Sequence, residues 1–185
     1  MLRAKKGVSL IEVLISIVLA VIVVTIGYRF HGMAKAVWSY AYVQGDLERS
    51  AMTALEKMVH GIDVAAEVIN GQTYNTSRGL LSANSVVTPV LGSETSQIQF
   101  IDPDGMTRSF TQITDRLVYS VVDLTGLNSS IDIIDEGVSQ LSFSRMLADV
   151  ENADDVVYIR LTLQRTVAQR VLSASVETSV IIRNM

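Results

Sequence analysis

The chain has 185 residues, 49% of them hydrophobic, and a formal net charge of −4. That length suits one anchored domain rather than two, and the acidic balance disfavours generic binding to nucleic acid or anionic lipid. Cysteine is absent, which excludes a disulfide framework, thiol catalysis and cysteine metal sites.

The charge is unevenly placed. Arg3, Lys5 and Lys6 put +3 in the first seven residues, which leaves −7 on the rest of a chain totalling −4. Between residues 8 and 26 only Ser9, Glu12, Ser16 and Thr25 are polar, and Glu12 alone ionises. At ~1.5 Å per residue a helix over this run is close to ~30 Å long, enough for a bilayer core. The basic leader fits a positive-inside orientation, with the bulk of the chain on the outer side. A carboxylate at mid-membrane costs at least ~2.5 kcal/mol, and a plain anchor has no use for one. Glu12 therefore asks for a cation that its own helix does not supply. Two other readings compete: a simple anchor whose glutamate reaches the headgroups, and a cleaved secretory signal. The nearest A-x-A pattern for such a cleavage, Ala34-Lys35-Ala36, lies well past the apolar run and beyond Tyr28, Arg29 and Phe30.

Lys5-Lys6-Gly7-Val8-Ser9-Leu10-Ile11-Glu12, followed by an apolar helix, resembles the processing signal of type IV prepilins and type II secretion pseudopilins. The resemblance implies cleavage by a prepilin peptidase between Gly7 and Val8 and methylation of the new amine on Val8. It also makes Glu12 the docking carboxylate, five residues into the mature chain. The family usually has Phe at the Val8 position. Cleavage would create an α-amine with a reference pKa near ~8, mostly cationic at neutral pH. In a neighbouring subunit that amine could approach Glu12 when two helices lie side by side with an axial offset.

Beyond Gly27 the pattern stays helical. Leu47, Ala51, Leu55, Met58, Ile62, Ala65 or Ala66, and Ile69 recur at three- and four-residue steps and form one apolar stripe. Asn70-Gly71 reads as the helix stop. Residues 72–96 are rich in Ser, Thr, Asn and Gly and read as a connection, with a short strand over 86–91. Residues 97–101 and 107–113 read as a hairpin about the turn Asp102-Pro103-Asp104-Gly105. Further strands are expected over 117–122, after Glu136-Gly137 with Val138, Leu141 and Phe143 inward, over 156–163, and over 172–182. Strands following one long helix, without regular helical crossovers, argue for an α+β domain with a largely antiparallel sheet.

Asp135-Glu136-Gly137-Val138, with Leu141-Ser142-Phe143, is similar to a strand of J-type minor pseudopilins and W-type minor pilins. The ending, Glu177 to Arg183-Asn184, is similar to their closing strand. The implied fold is pilin-like, a long N-terminal helix packed on a mainly antiparallel sheet. The expected layout is a leader over 1–7, a membrane segment over 8–26, an amphipathic helix continuation over 27–70 and a β-sheet domain over 71–185. The implied role is a structural subunit of the tip or priming complex of a type II secretion pseudopilus or type IV pilus. Its implied partners are other minor and major pilins or pseudopilins, the prepilin peptidase and an inner-membrane assembly platform, with no direct nucleic-acid binding. Its implied place is the bacterial inner membrane, crossed once, with the C-terminal domain in the periplasm. The alternative is a membrane-anchored periplasmic enzyme or ligand-binding module.

Chemistry is sparse in the rest of the chain. His31 and His60 are the only histidines, and neither has a motif neighbour suggesting a triad or zinc ligation. The carboxylates of Asp102 and Asp104, and those of Asp149, Glu151, Asp154 and Asp155, raise the question of calcium. Neither group has EF-hand spacing, and both read as solvated turns. No catalytic residue, metal site or cofactor is expected. Trp38, Tyr40 and Tyr42 form an aromatic group past the anchor, suited to interfacial anchoring, a neighbour's helix or ordinary packing.

Overall fold

The computed structural model describes residues 9–62, 67–69, 72–74, 78–122, 126, 128–147 and 155–182. One helix, α1 (Leu10–His60), is followed by β1 (Glu67–Ile69), β2 (Gln72–Tyr74), a 3-10 helix (Leu80–Ser82), β3 (Ser85–Thr88) and β4 (Glu94–Thr95). Then come β5 (Gln97–Ile101), β6 (Thr107–Ile113), β7 (Arg116–Val122), β8 (Asn128–Ile134), β9 (Val138–Leu147), β10 (Asp155–Val167) and β11 (Arg170–Ile182). The fold is α+β and pilin-like, a long N-terminal helix packed on antiparallel sheets. The chain divides into two compact units, Met1–Tyr42 and Val43–Met185.

In the first unit α1 runs through Gly27 and Gly32 without a break. Its large apolar side chains from Leu10 to Ile26 are between 47% and 85% exposed. A helix that is apolar all round needs lipid or other helices around it. This stretch is long and apolar enough to cross a membrane.

In the second unit the rest of α1 is amphipathic. Leu47, Ala51, Ala54, Leu55 and Met58 are buried at the three- and four-residue spacing of the expected stripe. They join one core with Phe100, Phe110, Phe143, Ile159, Leu161 and Val180. Instead of one sheet there are a five-stranded sheet, ordered β3-β5-β6-β7-β8, and a four-stranded one, ordered β11-β10-β9-β4. A two-stranded ladder of β1 and β2 stands apart from both. The 97–113 hairpin and the strand pair after residue 155 form as expected, the latter joined by a tight turn at Ala168 and Gln169.

Gln112 ties the two large sheets together. Its amide accepts the Leu141 N–H at 2.8 Å and donates to the Val138 carbonyl at 3.2 Å. The ladder needs that help, because the β9–β10 register shifts where Val138 pairs with Leu163 and Gln140 with Thr162. One extra residue on β9 lets Val138, Leu141 and Phe143 all point inward.

Two expectations fail between α1 and β5. The helix does not continue to residue 70: it ends at His60, and Glu67–Ile69 is a strand. The stop is Gly61, whose φ of +108° favours glycine and whose N–H bonds the Lys57 carbonyl at 2.9 Å. The expected cap at Asn70-Gly71 lies outside the described residues. The connection before β5 is also more ordered than its composition implies, since it carries β2, a 3-10 helix, β3 and β4.

The chain returns to the helix end at Gly79. A Cβ built there would lie 2.4 Å from both the Gly61 nitrogen and the Val59 carbonyl oxygen. Backbone cannot yield cheaply, so Gly79→Ala is expected to destabilise the second unit by about 1–3 kcal/mol. Gly45→Ala, on an exposed helix face with nothing within 4 Å, should instead stabilise by up to ~1 kcal/mol. Thermal melts of the full chain in detergent micelles distinguish them. An unchanged midpoint for Gly79→Ala would mean the chain does not pass this close to the helix end.

Candidate functional site

The residues around Glu12 build their own helix start. The Ser9 carbonyl accepts the N–H groups of Glu12 and Val13 at 3.0 and 3.2 Å, and Ser9 Oγ receives the Ile11 N–H at 3.4 Å. Glu12 Oε2 reaches back to the Ser9 N–H at 3.0 Å. This is a capping box, in which serine and glutamate three residues apart share the donors that a helix start leaves without partners. The Ser9-Leu10-Ile11-Glu12 spacing carries that signal in the sequence, and it gives Glu12 a capping role besides the expected docking one. The carboxylate also sits in the first turn, where the helix dipole favours negative charge.

The other polar side chains of the run are spent locally. Ser16 Oγ donates to the Glu12 carbonyl, and Thr25 Oγ1 to the Val21 carbonyl, both at 2.7 Å. That is how hydroxyls survive in an apolar setting. Glu12 keeps one oxygen, Oε1, without a hydrogen bond among the described residues. The carboxylate is thus positioned by its own helix and still able to accept a cation. Gly7 and Val8, the expected cleavage junction and methylation site, lie outside the described residues.

The other candidates fall where no common site forms. His31 and His60 are exposed and at different places on α1. Trp38 and Tyr42, one turn apart, are 76% and 78% exposed. The carboxylates weighed for calcium are not all solvated. Asp102 is buried; its Oδ1 receives the N–H groups of Asp104 and Met106 at 2.9 and 3.0 Å, and its Oδ2 receives Arg108 Nε at 2.6 Å. Arg108, also buried, donates onward to the Tyr119 hydroxyl. Asp155 is buried too, against Arg145 at 2.6 Å, and Arg145 also donates to the Val86 carbonyl at 2.9 Å. Asp104 pairs with Arg78 at 3.1 Å. Asp149, Glu151 and Asp154 lie outside the described residues. Among the described residues no group of three His, Cys, Asp or Glu side chains could hold a metal ion.

An apolar helix with one glutamate in its first turn, continuing into a helix-on-sheet unit, gives a pilin-like architecture whose first stretch is long and apolar enough to cross a membrane. Residues 2–28 match the family model of the prokaryotic N-terminal methylation motif, which supports a type IV pilin-like family. No curated protein and no solved structure matches the chain.

Proposed function

We propose that this chain is a minor pseudopilin or minor pilin, a structural subunit of the tip or priming complex of a type II secretion pseudopilus or type IV pilus. The observation that carries the reading is the placement of Glu12: inside the methylation motif, in the first turn of an otherwise apolar helix, with one carboxylate oxygen left over. Residues 1–7 are a leader removed by the prepilin peptidase, which cuts between Gly7 and Val8. The segment from Val8 to Ile26 crosses the inner membrane once, and the β-rich unit stands in the periplasm. Assembly packs the apolar helices side by side, and the methylated amine of one subunit neutralises Glu12 of the next. The β-rich unit then recognises sibling pilins. The similarity of residues 135–143 and of the chain's ending to J-type and W-type subunits supports a minor rather than a major subunit.

The mature protein is expected to begin at Val8 with a methylated amine. Intact-mass and N-terminal peptide analysis of membrane material reads this directly. A mature N-terminus at Val37, after Ala36, would instead identify a cleaved secretory signal and remove the basis for a pilin role.

A further inference from the structure

The last strand of the four-stranded sheet, β11, is an edge strand: it pairs with β10 and with no other strand among the described residues. Its free side can be identified. The Gln164 N–H goes to the Gly137 carbonyl on the β9 side of β10, and the Ser173 carbonyl is taken by Gln44 Nε2 at 3.1 Å rather than by β10. Both place the outward-facing N–H and C=O groups of β11 on Ser173, Ser175 and Glu177. Over residues 170–182 the strand has β-branched side chains, no proline and two charged residues, Arg170 at its start and Glu177, so it carries few of the usual protections of an edge.

Beside this edge runs a groove of about 500 Å³ between β11 and the flank of α1. Met52, Leu55, Val59 and Val176 give it an apolar floor, and Met52 is 61% exposed. Among the described residues no Lys or Arg lines it, whereas Glu56, Glu177 and His60 do. Arg160 holds the Glu177 carboxylate at 2.5 Å, so the carboxylate left without an ion pair among the lining residues is Glu56. The 3-10 helix packs against β11, but none of its residues lines the groove.

We propose that this groove is a strand-docking site. It takes an extended segment of a partner protein, with alternating apolar side chains and flanking Lys or Arg, as a fifth strand beside β11. A strand satisfies the outward backbone groups of Ser175 and Glu177 while every second side chain enters the apolar floor. A helix would fill the floor and leave those backbone groups without partners. The acidic rim selects a basic segment over an acidic one. The site belongs to the second unit and does not rest on the pilin reading of the N-terminus.

The test uses the full chain in detergent micelles and a ten-residue peptide of alternating valine and threonine with lysines at both ends. Saturable binding is expected, with slowed hydrogen exchange at the Ser175 and Glu177 amides. A fully backbone N-methylated peptide should not bind, and replacing the lysines by glutamate should weaken binding about tenfold or more. Ser175→Pro removes one outward N–H at a position where an edge strand tolerates proline; it should lose binding while keeping its melting temperature. Glu56→Lys, on an exposed helix face, is a second variant that leaves the strand intact and should weaken binding by about tenfold. Absence of protection at Ser175 and Glu177, equal binding by the N-methylated or glutamate peptide, or binding of the peptide as a helix would each overturn the proposal.

Discussion

Replacing Asp102 by alanine is expected to destabilise the β-rich unit by about 3–5 kcal/mol, because it strands a buried guanidinium. Asp102 and Arg108 have no exposed side-chain surface and meet at 2.6 Å. The same carboxylate holds the 102–106 turn through the Asp104 and Met106 N–H groups. Asp102→Asn keeps an oxygen for the turn but loses the charge, so its cost should fall between wild type and alanine. Denaturant unfolding of the full chain in micelles measures both. A loss below ~1 kcal/mol for Asp102→Ala would mean that water reaches Arg108. The third member adds a pH dependence. Burial pushes the Tyr119 phenol above its ordinary value of 10.0, against the pull of the neighbouring Arg108. A group raised in the folded state gives stability that is full below the unfolded pKa and lost as pH rises through the folded one. Stability should therefore fall above about pH 10, and Tyr119→Phe should flatten that fall.

This network shows where the sequence stops being legible. Asp102-Pro103-Asp104-Gly105 announces a turn, and the turn is there, but a turn signal says nothing about burial. A better clue lay in strand phase: Met106, Arg108 and Phe110 share the inward face of β6 and its approach. An arginine in an inward phase demands a carboxylate, and Asp102 is the one within reach. The amphipathic stripe was readable up to Ile62 because its spacing is local. Its overrun was not avoidable by spacing, since Ala65, Ala66 and Ile69 continue the same period. What stops the helix is the backbone at Gly61 and the packing of Gly79 against it, contacts between residues far apart in the chain. For the same reason most strands were visible, while their division into two sheets was not. A two-residue strand such as β4 has no period to read, and it forms only because β9 offers it an edge. At the N-terminus the legibility was reversed. The Glu12 motif is plain in the sequence, and its capping role is legible only when Ser9 is taken together with the glutamate three residues on.

Glu12→Ala is expected to leave membrane insertion and leader cleavage intact and to reduce complex formation with sibling pilins by at least about tenfold. Insertion is driven by the apolar run, and removing a carboxylate makes it easier. The observed capping box complicates a simple charge argument, since alanine also removes the acceptor for the Ser9 N–H. That loss costs about 1 kcal/mol in a typical cap and acts within one helix. The proposed charge pairing with a neighbour's amine would act between helices, in a medium of low dielectric, where such a pair is stronger. Glu12→Gln separates the two, because the amide oxygen can still accept from Ser9 while the charge is gone. If pairing drives docking, the glutamine variant should assemble poorly, though better than alanine. If capping is what matters, glutamine should assemble like wild type, and Ser9→Ala should fail as badly as Glu12→Ala. Co-purification with sibling subunits, read beside a cleavage blot, decides between them. Full assembly by Glu12→Ala would show that the β-rich units dominate docking, and would leave Glu12 only its place at the start of the helix.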